Sequence, residues 1–411
     1  MLRSGFKQDI TLDGIIVGIV SVYAFLQLVF YFLNLPSNIL YTLPSSIVPL
    51  FFLLRASVHG ALEFERLSLF IVLGSLTVFI ASIPAQPYPD LYDHTKYLML
   101  YFFYFMGVNG HLESGTFALK NARFLLIGLP IILLGFYWFI LGGSGYYLGS
   151  VAFVANRNNL SGLIMAIALS ISIVSRQRGL SFLLTAVLML VGTLGGVIGI
   201  AGAFMLVAIR KPLFLIFAIL LTSALFYVAL LLEWSFVNRI SNAVLILWTM
   251  ARSNFFDALV NMSFEDASAI TDGNVYDASV FWRLKQWLDI VLMMWNEPSH
   301  LWLGFGFTAS ETLTFSEKLP HNDWLRVLFE GGVFSFALFS ILVLTALRDA
   351  RRLGRDTFVI ALGIFIFMLT ENLLDNFLIS FLVFFSLGLA RQKAHQNPVE
   401  RKIENALQQS Q

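Results

Sequence analysis

Apolar runs of about 17 to 22 residues, separated by short polar segments, recur along almost the whole chain. This is the length that the hydrocarbon core of a bilayer requires of an α-helix, and a helix satisfies its own backbone hydrogen bonds in lipid. The pattern predicts an all-α polytopic membrane protein with twelve transmembrane helices, at 14–33, 38–54, 67–83, 97–109, 123–141, 159–175, 180–193, 196–209, 212–232, 324–347, 357–371 and 375–390.

The distribution of basic residues predicts how these helices are oriented. With the N-terminus in the cytoplasm, the inner segments contain most of the 26 Lys and Arg residues, including the clusters "SRQRG" and "RDARRLGRD". Shifting the count by one helix would move one of these clusters outside, against the positive-inside rule. We therefore expect an even number of spans and both termini in the cytoplasm.

Four regions follow from this topology. We expect transmembrane helices 1–9 in 1–232, a large periplasmic loop in 233–323, helices 10–12 in 324–390, and a cytoplasmic tail in 391–411. A loop of this length is usually functional or disordered. This one is rich in tryptophan and is not of low complexity, so we predict that it folds on or partly in the outer leaflet.

Composition excludes several kinds of chemistry. The chain has no cysteine, which rules out disulfides, thiolate metal sites and a cysteine nucleophile. Its net charge of +1 gives no indication of nucleic-acid binding. The glycine-rich segments "LGFGF" and "GTLGGVIGIAG" lack the Lys-Ser/Thr and the preceding strand of a phosphate-binding loop, so an ATP-driven pump is not predicted. No metal or other cofactor is predicted.

The stretch "LPHNDWLRVLFEGGVFSF", at 319–336, places a polar group at the start of an apolar helix. Asn322 or Asp323 can cap the helix, and Arg326 and Glu330 are four residues apart and can pair on one face. A capped helix with an interfacial ion pair would explain these four residues without any function. Glu330 lies about two turns into the span, where a lone charge costs roughly 2.5–3.5 kcal/mol, so it requires a partner or a polar cavity.

Three further residues could carry chemistry at the outer face. His321 has a side chain that exchanges protons near neutral pH, although an interfacial histidine is more often structural. Arg283 and Trp287 share one helical face of "SVFWRLKQW", with Lys285 off that face, and an arginine fork suits phosphate oxygens. Arg157, next to Asn158 in "ANRNNLSG", could bind the same group or only reach towards lipid headgroups.

A carboxylate pair lies between the last two predicted spans. Glu371 and Asp375, in "TENLLDN", are four residues apart near the outer face. They could act as acid and base or bind a cation, but a structural role is the simpler interpretation. No histidine neighbours them in the sequence, so they do not define a metal site.

The order of these motifs resembles the O-antigen ligase and polymerase superfamily of bacterial envelopes. The resemblance rests on an arginine-bearing helix, the "GFGF" turn and "PHNDWLRVLFEGGVFSF" after a long outer loop, and on "ANRNNLSG" before a middle span. It covers about residues 150–345, and it implies a bacterial inner-membrane location with the active site facing the periplasm. The resemblance implies transfer of a glycan from an undecaprenyl-diphosphate-linked donor to a sugar hydroxyl at the periplasmic face, with no metal and no nucleotide sugar.

The resemblance also implies roles for particular residues. The family histidine maps onto His321 and its loop arginine onto Arg283, the two expected catalytic residues. The family's "T-x-S-R-G" turn is replaced here by "TLGGVIG" from Thr193, with Gly196 near the place of the arginine. Either Arg157 or Arg326 would then supply the second positive charge, or the donor would be held differently. The expected substrate-binding residues are Arg157, Asn158, Asn322, Asp323, Arg326 and Glu330.

The sequence leaves three functions open. In a metal-independent, inverting glycosyltransferase, arginine would stabilise the departing diphosphate. His321 would act on the acceptor hydroxyl, with Asn322 or Asp323 holding its ring and Glu330 steadying Arg326. A glycan polymerase is the preferred interpretation, with a chain-length regulator and membrane lipids as partners. A ligase acting on lipid A core and a small-anion transporter are the alternatives.

Overall fold

The computed structural model describes residues 65–85, 91–109, 157–175, 179–191, 194–208, 235–252, 254–261, 279–314 and 319–395, with a few isolated positions between them. All regular structure in this part of the chain is helical. The α-helices in these ranges are α1 (Arg66–Ser82), α2 (Leu91–Val108), α3 (Arg157–Ser175), α4 (Leu180–Val191), α5 (Leu194–Ala208), α6 (Ser235–Arg252), α7 (Phe255–Asn261), α8 (Ser279–Asn296), α9 (Ala309–Thr312), α10 (Asp323–Leu353), α11 (Arg355–Phe367) and α12 (Phe377–His395).

The helices support the membrane prediction in its coarse form. Within the described ranges, α10 and α12 are long and apolar enough to cross a bilayer. The pair α6 and α7 passes the same test together, but it bends by 107°. Segments of α1, α2, α3 and α5 are apolar but shorter. These helices suggest a membrane protein, while the orientation stays a prediction.

Eight of the predicted spans correspond to helices, and four lie outside the described residues. The spans at 14–33, 38–54 and 123–141 lie outside, as does all of 212–232 except two isolated positions. The predicted division of 180–209 is confirmed, because α4 and α5 are separate helices.

Two predicted spans end at different residues from the corresponding helices, and the first difference matters for the site. The span predicted at 357–371 ends as a helix at Phe367, and residues 368–376 form the connection to α12. The span predicted at 324–347 continues as helix to Leu353. Hydropathy does not locate a helix end, because a helix can continue through polar residues and can end within an apolar run.

The main core is formed by α1–α5 and α10–α12, whose buried aliphatic and aromatic side chains make one continuous cluster. A second, small core joins α6, α7 and α8 through Ile246, Met250, Leu259 and Phe281. A third joins α8 and α9 to α10, with the rings of Phe305 and Phe329 stacked 4.5 Å apart. The helical part of the predicted outer loop is therefore packed directly onto the start of α10.

The glycine-rich turn at 303–307, in the predicted outer loop, is hydrogen-bonded to α10 next to a break in that helix. At Gly332 the backbone of α10 leaves helical geometry, with φ of 74°. The carbonyls of Phe329 and Glu330, which precede the break, accept hydrogen bonds from the backbone N–H groups of Phe305 and Gly306 at 3.0 and 3.2 Å. The loop thereby satisfies carbonyls that the interrupted helix cannot.

Candidate functional site

The polar segment before α10 is shaped by local backbone chemistry. The side chain of Asn322 accepts a hydrogen bond from the backbone N–H of Leu325 at 3.0 Å, so Asn322 is the N-cap of α10 and the predicted cap is confirmed. His321, the residue before it, has φ of 47°. This left-handed conformation is strained for a residue with a side chain, and such strain persists mainly at functional sites.

Asp323 fixes the connection 368–376 beside His321. Its backbone N–H donates to the carbonyl of Met368 at 2.8 Å, and its carboxylate accepts from the backbone N–H groups of Leu373 and Leu374. Three hydrogen bonds therefore hold the connection against the first turn of α10. This brings Glu371 next to a histidine fifty residues away in the sequence.

Glu371 joins the two predicted catalytic residues. One carboxylate oxygen accepts a hydrogen bond from Nη2 of Arg283 at 3.0 Å, and the other lies 3.1 Å from Nδ1 of His321. The side chains of Arg283 and His321 are 25% and 33% exposed, whereas that of Glu371 is 6% exposed. The carboxylate therefore lies behind the two other groups, which reach solvent.

Glu371 is held in its charged form. Burial by itself would raise the pKa of Glu371, but the charge of Arg283 and the hydrogen bonds from His321 and Arg283 together lower the pKa below its ordinary value. An ionised carboxylate only accepts hydrogen bonds, so Nδ1 of His321 carries the hydrogen in this pair. In a neutral imidazole this leaves Nε2 with a lone pair able to accept a proton.

Two tryptophans complete the surroundings of His321. The ring of Trp282 meets the His321 ring edge-to-face, with centroids 5.5 Å apart. Trp287 donates from Nε1 to the carbonyl of Pro320 at 2.6 Å. Arg283 and Trp287 therefore lie on the same face of α8, the face that contacts the site, as predicted. Lys285 lies off this face and donates to the carbonyl of Val260.

Arg326 and Glu330 form a separate, closed centre within α10. Arg326 is 1% exposed and donates to Glu330 at 2.9 Å and to Asp375 at 2.5 Å. Glu330 also accepts from the hydroxyl groups of Tyr97 and Ser310. The predicted pairing of Arg326 with Glu330 is confirmed, and two carboxylates already balance this arginine.

The structure corrects the expected orienting group. Neither Asn322 nor Asp323 holds the His321 ring, because the side chain of Asn322 caps α10 and that of Asp323 binds the connection. Glu371 holds it instead. The sequence indicated Glu371 only as half of a carboxylate pair, since nothing local shows that the connection folds back over His321.

The remaining predicted site residues lie at the same end of the bundle. Arg157 and Asn158 begin α3, and Gly162, one turn later, packs against Leu373 of the connection. The side chain of Arg157 lies outside the part of the structure that is described. The segment "TLGGVIG" from Thr193 also lies here, because Gly195 packs against Thr370, the neighbour of Glu371.

No family model matches the chain, and no curated protein matches it. The resemblance to the O-antigen ligase and polymerase superfamily therefore stays a prediction based on the quoted motifs. Metal independence stays a prediction as well. Among the described residues, no three His, Asp or Glu side chains converge to form a metal-binding group.

Proposed function

We propose that the chain is a membrane glycosyltransferase of the polysaccharide-polymerase type, which uses a polyprenyl-diphosphate-linked glycan as donor. One observation carries the proposal: Arg283 and His321, predicted from separate motifs, share the carboxylate of Glu371 in a half-open site. The packing of Gly195 beside Thr370 adds support, since it brings the segment matching the family's arginine turn to the same site.

The reaction requires positive charge over a leaving diphosphate and a base near the acceptor hydroxyl. The acceptor oxygen forms a bond to the anomeric carbon, and the bond from that carbon to the diphosphate oxygen breaks. The electron pair leaves with the lipid diphosphate, which the guanidinium of Arg283 stabilises. The acceptor proton passes to Nε2 of His321, whose other nitrogen is held by Glu371. Direct displacement inverts the anomeric centre.

Arg326 does not supply the second positive charge in this mechanism. Glu330 and Asp375 already bind it, and it is almost completely buried. This leaves Arg157, at the start of α3, as the second arginine of the proposal. Arg157→Gln should therefore weaken donor binding without the loss of protein that a structural arginine would cause.

The test uses cells that lack the native chain and are complemented with variants. His321→Ala should leave membrane abundance intact and reduce transfer by about 10²–10⁴-fold, because a positioned base contributes that much. Arg283→Lys should also be harmful, since an ammonium group cannot replace the guanidinium fork. His300→Ala and Arg252→Lys are matched controls: His300 contacts Phe305, and Arg252 lies over Trp248.

The product distinguishes the functional alternatives. Loss of long glycan with accumulation of single lipid-linked units indicates a polymerase. Long lipid-linked glycan that never reaches lipid A core indicates a ligase. If His321→Ala and Arg283→Lys make normal product in proportion to their abundance, the proposed function is wrong, and uptake of small anions into proteoliposomes becomes the measurement to make.

A further inference from the structure

Glu371 occupies a position that a phosphate group would also favour. Its carboxylate oxygens accept from Nη2 of Arg283 and Nδ1 of His321, and phosphate oxygens seek the same kinds of donors. The guanidinium of Arg283 is only partly satisfied, because its buried Nε has no hydrogen-bond partner within the described part of the chain, and a quarter of the side chain is exposed to solvent. Only one carboxylate contacts this guanidinium in the described residues, whereas two contact Arg326.

We propose that Glu371 is an exchangeable internal counter-anion: it neutralises Arg283 until a diphosphate binds, then releases Arg283 and keeps its contact with His321. The direction of approach fits this exchange. Arg283 and His321 are partly exposed, whereas Glu371 is buried, so an incoming anion meets the guanidinium before it meets the carboxylate.

The exchange links donor binding to the state of His321. Before binding, the negative charge of Glu371 is divided between two partners. Once diphosphate oxygens bind Arg283, the carboxylate faces His321 alone. It then holds Nδ1–H more strongly and stabilises the imidazolium that forms when Nε2 takes the acceptor proton. Glu371 is thus a positioning residue that favours proton transfer after the donor has arrived.

Removing the charge of Glu371 separates its two roles. Glu371→Gln preserves the size of the side chain and one acceptor oxygen but no longer competes for Arg283. Binding of inorganic pyrophosphate, measured by calorimetry on the full chain in lipid nanodiscs, should tighten by roughly tenfold, the effect of losing one competing charge-assisted contact. Transfer per molecule should fall, because His321 loses its anionic partner.

Two comparisons make the binding result specific. Glu297→Gln removes the same charge from an exposed position whose described ion pair is with His300, and it should leave pyrophosphate affinity unchanged. In an Arg283→Gln background, Glu371→Gln should not tighten pyrophosphate binding, because there is no longer a guanidinium for which Glu371 and pyrophosphate compete. Tightening in the Glu297→Gln variant, or tightening without Arg283, would show a general charge effect and overturn the proposal.

The binding measurement stands alone, and only the transfer measurement rests on the proposed function. Unchanged or weaker pyrophosphate binding in Glu371→Gln overturns the exchange, whatever the glycan products are. Tighter binding with undiminished transfer per molecule overturns the positioning role. Tighter, Arg283-dependent binding in a chain that transfers no glycan supports the exchange and contradicts the proposed function instead.

Discussion

Arg283 and Arg326 lie at the same end of the helix bundle, and their surroundings differ in charge balance and in access to solvent. Arg326 is 1% exposed, and Glu330 and Asp375 both bind it. Arg283 is 25% exposed and has a single carboxylate partner among the described residues, which it shares with His321. Arg326 is therefore a buried arginine with two carboxylate partners, whereas Arg283 is a partly exposed arginine with one such partner among the described residues.

The difference teaches how to separate a structural arginine from a functional one. A buried charge is tolerated only when its partners compensate for lost hydration, so a closed centre such as that of Arg326 holds helices together. A partly exposed arginine with one carboxylate partner, beside a histidine in a strained conformation, suits the ligand chemistry of the proposed function. The comparison therefore predicts a stabilising role for Arg326 and a ligand-binding role for Arg283.

The largest expected effect is on stability at Arg326. Arg326→Met leaves two carboxylates without their cation and should lower the free energy of unfolding by about 3–5 kcal/mol. Arg283→Met should cost only about 1–2 kcal/mol, since His321 still binds Glu371 and solvent reaches the site. Thermal unfolding of both variants in the same detergent checks this. Equal losses would remove the distinction between the two centres.

The glycine turn that connects the loop to α10 should show the next largest effect. A Cβ at Gly304 would lie 2.0 Å from the carbonyl oxygen of Glu330, and φ there is +84°. Gly304→Ala should therefore destabilise by roughly 1–3 kcal/mol and also reduce transfer, because the turn positions α8 relative to α10. Gly202→Ala, in α5, is the matched control, since a Cβ there would lie 3.9 Å from Ile366, which is an ordinary contact distance.

A smaller effect is expected from the backbone of His321. Because φ is 47°, glycine fits this position better than alanine, and His321→Gly should be more stable than His321→Ala by about 1 kcal/mol. Both variants lose the imidazole and should be equally inactive. Unfolding midpoints and transfer assays on the pair check this. A more stable alanine variant would show that the strained backbone is not retained in solution.

The smallest effect is a pH dependence at Glu371. Arg283 and His321 lower the pKa of Glu371 below its ordinary value in the folded protein, so it contributes stability above that ordinary value and loses it as pH falls through the lowered one. The stability difference between the native chain and Glu371→Gln should shrink as pH falls below about 5. A difference that grows as pH falls below about 5 would mean that the carboxylate is not stabilised in its charged form.

The candidate site shows which residues the sequence could identify. His321 and Arg283 were predicted from residue type and position, and the structure brings both to Glu371. The pairing of Arg326 with Glu330 was predicted from helical spacing and is confirmed. Glu371 was undervalued, because its partners are 50 and 88 residues away in the sequence. Tyr97 and Ser310, which both donate to Glu330, gave no signal, since a lone hydroxyl near an apolar helix is common.

The sequence by itself determined that the described chain is helical, where most of its apolar helices lie and where α10 is capped, because these features depend on hydropathy and on contacts within one turn. Only the tertiary structure decided that α11 ends at Phe367, that the 368–376 connection folds over α10, and that a glycine turn holds α8 against the break at Gly332. Those outcomes depend on hydrogen bonds between segments far apart in sequence, which no local pattern encodes.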